Sequence, residues 1–358
     1  MKPSGLNMGQ VKKQNRFEIL QYMNSVGPVS RKDIAEVTGL TAAAVTQISA
    51  ELLEEGILRE TGLDTKKKTP GRKKVFLEIN YDYANVLSVN IEQQETLVAL
   101  CNLKGDLLEQ RTLPTGHDAK VLLHAIVEVI EEIRNQRVKD AQKIAGISVG
   151  VPGLVDKERG VSLKAFGIWE EEVEIAAFLE KALNYPVVLE NNVNALGNAE
   201  LLFDYGKTHD NLLLIKWGPG VGSSIIIDRK VYDGRNGKAA EIGHFIVEKN
   251  GRLCSCGRRC CLTTKISSAI IKEKGKDYYK EAIDLFARTV INSMTMLAPN
   301  RVILCGKMFH DESVQEDFIR NCMEYDSHYN QNRILVSNLL DKENYIGNVA
   351  TFVLQHIF

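Results

Sequence analysis

Apolar positions in the first eighty residues recur at helical spacing in three short runs. Within residues 14–26, Phe17, Ile19, Leu20 and Met23 fall on one side of a helix that Gly27-Pro28 ends. Ser30 and Asp33 have the S-x-x-D spacing of a capping box, so a second helix starts at Ser30 and runs through Ile34 and Val37. After a Gly39-Leu40 turn, Thr41 can cap a third helix. There Val45, Ile48 and Leu52 face inward, and Ala42, Ala43, Thr46, Gln47 and Ser49 turn outward or to the flanks. Two short helices joined by a tight glycine turn make a helix-turn-helix. Ile57-Leu58 and residues 75–79 read as two strands around a turn, the wing of a winged helix.

From Tyr83 the pattern changes to β-rich runs. Residues 86–91 and 96–101, a Lys104-Gly105-Asp106 turn and a third short strand predict an antiparallel meander. Val121, Leu122, Ala125, Ile126, Val129, Ile130 and Ile133 then mark a long amphipathic helix. A buried strand over 144–149 leads to a Pro152-Gly153 turn ending in Asp156. A helix over about 171–183 leads to a strand over 187–189 that ends at Glu190-Asn191-Asn192. A strand over 212–216 stops at the glycine-rich Gly218 to Gly222, and 223–228 resumes as a strand. The final third is mostly helical around one strand, 302–304. Strands alternating with long helices imply an α/β body. The reading is an N-terminal DNA-binding domain over 1–80 and a larger body over 81–358.

At 358 residues the chain exceeds one ordinary core, which agrees with two or more domains. Its 44% hydrophobic and 25% charged residues are those of a soluble globular protein. No apolar run approaches the length that spans a bilayer and no signal peptide opens the sequence, so a cytoplasmic protein without a membrane partner is expected. The formal net charge of -1 hides an asymmetry: residues 1–80 are net +4 and the remainder net -5. The positive charge concentrates in a linker, 66–74, with six Lys or Arg in nine residues. Beside a helix-turn-helix, such a segment gains affinity from phosphate contacts and counterion release, and its Pro-Gly-Arg tip suits a minor groove. The candidate contacts to double-stranded DNA are Ser30, Thr41, Ala42, Ala43, Thr46 and Gln47, with Arg72, Lys73 and Lys74 of the linker. Gln47 is best suited to reading adenine.

Seven cysteines, an odd number with four clustered, fit a reducing compartment better than a disulfide framework. The cluster follows His244: Cys254, Cys256, Cys260 and Cys261 lie in a short glycine-punctuated loop. Tetrahedral zinc takes four nitrogen or sulfur ligands, and His244, Cys254, Cys256 and Cys261 would supply them. Spacing alone does not separate Cys260 from Cys261. A closed site has no open position for activating water, so the zinc would be structural, fixing the loop that carries Glu241.

Taken in order, the winged helix, Gly150-x-Pro152-Gly153-x-x-Asp156, Asn191-x-x-Asn194-Ala195, Gly218-x-Gly220-x-Gly222, Glu241-x-Gly243-His244 and Cys254-x-Cys256-Gly257-x-x-x-Cys261 resemble the ROK family of repressors, open reading frames and kinases, and within it the NagC/XylR-type transcriptional regulators. The resemblance implies a duplicated, actin-like (ribonuclease-H-like) α/β fold with a sugar between two lobes, usually in a dimer or tetramer. By the same resemblance, Asn191, Asn192, Glu241 and His244 would hydrogen-bond a sugar or sugar derivative, and the chain would be a sugar-responsive repressor of a carbohydrate-utilisation operon. Kinase members carry D-x-G-G-T in the first hairpin, where glycine amides cradle ATP phosphates, and a general-base Asp after the first Asn of the N-D-A-N run. This chain has Asn90-Ile91-Glu92-Gln93-Gln94 and Asn192 at those places, so no kinase activity is expected. Sugar-binding members also carry a Glu two residues after the last zinc cysteine, where this chain has Thr263, and glycines where it has Ala240 and Cys260.

Overall fold

The computed structural model describes residues 8–63, 75–137, 143–326 and 333–358. The basic linker, with Arg72, Lys73 and Lys74, lies outside the described residues. The chain opens with α1 (Met8–Val26), β1 (Val29–Ser30), α2 (Arg31–Thr38), α3 (Ala42–Glu54), β2 (Leu58–Leu63) and β3 (Val75–Ile79). β1, β3 and β2 form a three-stranded antiparallel sheet, so the expected two-strand wing gains a strand just before the helix-turn-helix. Ser30 caps α2, accepting from the Asp33 N–H, and Thr41 caps α3, accepting from the Ala44 N–H. Gly39 supplies the left-handed residue, φ 71°, that turns α2 into α3.

Two five-stranded sheets make the body. The first lobe contains β4 (Asn85–Ile91), β5 (Glu95–Asn102), β6 (Leu107–Pro114), α4 (Ala119–Arg137), β7 (Ile144–Val151), the small hairpin β8 (Leu154–Asp156) and β9 (Val161–Lys164), α5 (Ile175–Leu183) and β10 (Val187–Asn191). α6 (Asn192–Phe203) then leads to the second lobe. That lobe contains β11 (Leu212–Trp217), β12 (Val221–Ile227), β13 (Lys230–Val231), α7 (Thr263–Ile266), α8 (Ser268–Lys274), α9 (Lys276–Leu297), β14 (Arg301–Cys305), α10 (Glu312–Tyr325) and β15 (Ile334–Val336), and α11 (Ile346–Phe352) closes the chain.

The sheet orders β6-β5-β4-β7-β10 and β13-β12-β11-β14-β15 are the same topology twice: three antiparallel strands, then two parallel to the first. This is the duplication expected of an actin-like fold. α4 and α5 cover one face of the first sheet, packing Ile126, Ile130 and Leu179 on Leu87, Val89 and Ile147. α9 and α10 cover the second through Phe286, Phe318 and Met294. The core around α6 and α11 continues into the winged helix: Ile19, Leu20, Leu52 and Leu77 belong to the same buried cluster as Leu202 and Phe352.

The fifth helix starts at Ile175, four residues later than its apolar pattern suggests, because Val173 instead exchanges backbone hydrogen bonds with Ser162. The sequence pattern does not announce β15 or β1; three and two residues are too few to carry a period. Ser49, expected on the outer face or a flank of α3, is fully buried. No helix among the described residues is long and apolar enough to cross a membrane.

Candidate functional site

The cleft between the lobes gathers the turns at the carboxyl ends of the central strands, the usual place for ligands in such sheets. It encloses about 170 Å³ and is lined by Glu92 and Gln93 after β4, Gly153 and Phe166 from the first lobe, Asn191 to Asn194 at the start of α6, and Lys216 and Gly218 to Ser223 with Glu241, His244 and Thr263 from the second lobe. All four residues that the resemblance assigns to sugar binding line it.

Asn191 is the N-cap of α6: its Oδ1 accepts from Val193 N at 2.8 Å and Asn194 N at 3.1 Å, and its Nδ2 donates to Gly153 O at 2.9 Å. The side chain holds the helix and the Gly153 turn, and Nδ2, which lines the cleft, carries a second N–H beyond the one given to Gly153. Asn192 donates from Nδ2 to Glu92 Oε1 at 2.8 Å, and Lys216 Nζ donates to that same oxygen at 2.7 Å. Burial opposes the charged form of Lys216, but Glu92 more than offsets it and the Lys216 pKa is raised. Burial raises the Glu241 pKa even though Arg258 opposes it. Behind the cleft, Lys157 reaches Glu190 at 2.5 Å and Asp233 at 2.6 Å, an ion-pair cluster that joins first lobe to second. Burial pushes Glu190 up to about 7 despite Lys157.

The loop after Glu241 is shaped by close approach. A Cβ on Gly243 would lie 2.1 Å from Val221 O, so only glycine fits there. His244 Nδ1 lies 3.5 Å from Cys254 Sγ, Cys256 Sγ lies 3.6 Å from Cys261 Sγ, and the four ligand atoms all fall within 4.8 Å of one another. A tetrahedral ion with Zn–S bonds of about 2.3 Å separates its sulfurs by roughly 3.8 Å, so the quartet has the size of a metal site. Cys260 is not part of it: its Sγ accepts from Gly251 N at 2.9 Å. Cys261 is the residue whose thiol joins the cluster. A metal on Nδ1 would place the imidazole proton on Nε2, which lies 3.7 Å from Glu241 Oε2 and faces the cleft. Phe166 packs edge-on against the same ring at 5.5 Å. Ala240 and Cys260 adopt positive φ of 58° and 67°, a backbone conformation that favours glycine.

On the winged helix, Thr41, Ala42, Ala43, Thr46 and Gln47 are exposed, and Gln47 Nε2 donates to Glu51 Oε1 at 3.2 Å. Ser30 is 4% exposed and its hydroxyl donates to Asp33 Oδ2 at 2.6 Å, so it caps α2.

Residues 86–285 match the ROK family model, which is more than half of the chain. The chain belongs to the ROK family. Among ROK relatives, it is 28% identical over 301 residues to the xylose repressor of Caldicellulosiruptor bescii, covering 83% of this chain and 74% of that one. It is 24% identical to the DNA-binding transcriptional dual regulator NagC of Escherichia coli K12, covering 96% and 93%. A solved ROK transcriptional regulator, described as a homolog of the E. coli MLC protein, superposes with a TM-score of 0.81 at 21% identity over 96% of this chain and 97% of that one. A ROK glucokinase from Streptomyces griseus, in complex with glucose and AMPPNP, superposes with a TM-score of 0.62 at 21% identity over 75% and 99%. At these identities the likeness of the ROK structures is one of fold.

Two features of this ROK cleft are hard to see in the sequence. Lys216 is the only charged residue in the otherwise apolar strand β11, a weak signal but a usable one. Glu92 reads locally as hostile to phosphate, whereas its pairing with Asn192 spans a hundred residues and has no local signature. Trp169 is buried and donates to Ser162 Oγ; Phe166 holds the border of the cleft.

Proposed function

We propose that this protein is a sugar-responsive, DNA-binding transcriptional repressor of a carbohydrate-utilisation operon, without kinase activity. The observation that carries the reading is the replacement of a phosphate cradle by carboxylates in a body fused to a winged helix. Glu92 sits beside Asn192 and Lys216, and Glu343 accepts from the N–H of Gly306 next to the same lysine. Carboxylates at these points repel the phosphates of a nucleotide, and Asn192 cannot take a proton from a hydroxyl. The sugar-facing half keeps part of its chemistry: Glu241 would accept, and His244 with a metal on Nδ1 would donate from Nε2, while Thr263 stands where sugar-binding members carry a Glu.

The head, residues 1–80 with its linker, would insert α3 into the major groove. The small exposed face of Thr41, Ala42, Ala43 and Thr46 allows close approach, with Gln47 for base contact and Arg72, Lys73 and Lys74 on phosphates or in the minor groove. A homodimer or homotetramer would read a palindrome, and zinc would hold the His244 loop. The names of the relatives point to a pentose or an amino sugar as the class of effector. A ligand works only if it binds the DNA-incompetent state more tightly.

Selection of fragments of the source genome by the purified protein tests this reading. Enrichment of a palindromic site beside genes for sugar uptake or breakdown is the expected result. Recovery of fragments no better than non-specific DNA, with and without D-xylose and N-acetyl-D-glucosamine, would remove the repressor reading.

A further inference from the structure

We infer that Glu92 is a positioning residue that fixes which end of the Asn192 side-chain amide meets the sugar. The inference rests on the cleft being the sugar site and concerns how that site recognises a hydroxyl.

Glu92 Oε1 receives two donors, Asn192 Nδ2 at 2.8 Å and Lys216 Nζ at 2.7 Å. A carboxylate held by an ammonium can only accept, so the atom of Asn192 that faces it must be the nitrogen. An amide carries its nitrogen and oxygen on opposite sides. Asn192 Oδ1 is therefore turned away from Glu92, and it takes no hydrogen bond from the described residues, while both side chains line the cleft. The position offers a pure acceptor to a sugar hydroxyl, with the hydrogen-bonding polarity of a carboxylate and without its charge. Lys216 completes the device. It anchors Glu92, from the turn after β4, to β11 of the opposite lobe, so the acceptor is presented only when the lobes hold this spacing.

Without Glu92 nothing described selects between the two amide orientations, and an N–H would face the hydroxyl in part of the population. Exchanging the partners makes the test. In Glu92→Gln the two amides can pair either way round; in Asn192→Asp two carboxylates stand together. In the double variant Glu92→Gln/Asn192→Asp, a turn of the new amide keeps its oxygen on Lys216 and gives its N–H to the new carboxylate, whose second oxygen again faces the cleft as an acceptor.

Calorimetric titration of the full-length, metal-loaded protein with a panel containing D-xylose, D-glucose and N-acetyl-D-glucosamine reads the effect. Each single variant should weaken binding of the sugar that the wild type takes by about tenfold or more, the scale of one hydrogen bond to a charged or misoriented partner. The double variant should return to within about threefold of the wild type. A merely structural role for Glu92 would not be rescued by the exchange. Unchanged binding by Glu92→Gln, or a double variant no better than the singles, overturns the inference while leaving the sugar site intact. A wild type that binds no member of the panel overturns the sugar reading itself, and the inference with it.

Discussion

Asn24 on α1 donates its side-chain amide to the carbonyl oxygen of Leu202 on α6 at 2.5 Å. Tyr81, at the end of the winged helix, donates its hydroxyl to Asn24 Oδ1 at 2.6 Å. α6 begins at Asn192 in the cleft and ends here, so one helix of 12 residues, about 18 Å long, runs from the cleft to the winged helix. Because Asn24 is buried, Asn24→Ala leaves Leu202 O and the Tyr81 hydroxyl without their partner. It should cost about 1–3 kcal/mol in urea unfolding. It should also shrink the change in operator affinity that sugar produces; an undiminished response would take α6 out of the transmission route.

Metal content is separately measurable. Protein purified without added metal should carry about one zinc per chain, and Cys254→Ser or Cys256→Ser should lose it. Cys260→Ser should keep it, because Cys260 Sγ is turned to Gly251 N. Loss of metal on replacing Cys260 with retention on replacing Cys261 would reverse the assignment of the fourth ligand.

Glu200, 1% exposed on α6, accepts the Ser337 hydroxyl, and burial with the nearby Asp204 pushes its pKa up to about 8 from an ordinary 4.5. Below pH 4.5 the carboxyl is protonated in both folded and unfolded chains. As pH rises, the unfolded chain ionises first and is favoured, so this contribution to stability is lost progressively up to about pH 8, at no more than about 1.4 kcal/mol per pH unit. Glu200→Gln removes the titration. Relative to wild type, the variant should gain stability between pH 5 and pH 8, as followed by urea unfolding at each pH. A constant difference across that range would mean that Glu200 is ionised in the folded chain.

Replacing Arg72, Lys73 and Lys74 with alanine should weaken operator binding and flatten its salt dependence. The slope of log K against log [salt] should fall by up to about 0.9 for each phosphate that is no longer neutralised. An unchanged slope would remove the linker from the interface.

A coupled assay of ATP consumption over the same sugar panel should show no turnover above that of buffer. Sugar-dependent ADP formation by the wild type that disappears in Lys216→Met would restore the kinase reading against the chemistry of Glu92 and Asn192.

Much of this molecule is legible in the sequence because its signals are local. The period of Ile19, Leu20 and Met23, the caps at Ser30 and Thr41 and the meander of β4 to β6 follow from side-chain spacing over one or two turns or strands. The His-Cys quartet is visible for the same reason, since its residues lie within eighteen positions of one another. Other choices belong to the tertiary structure. The sequence alone cannot separate Cys260 from Cys261, because neighbours in a loop differ only in where the backbone turns each thiol. It offers Asn191 as a ligand group, and only the structure shows that the start of α6 and the Gly153 carbonyl also hold its side chain. It cannot show that Ser49 is buried. Least accessible is the meeting of Glu92, Asn192 and Lys216. Asn192 and Lys216 follow Glu92 by 100 and 124 positions in chain order, and only the packing of two lobes around α6 brings their charges and dipoles within hydrogen-bonding distance.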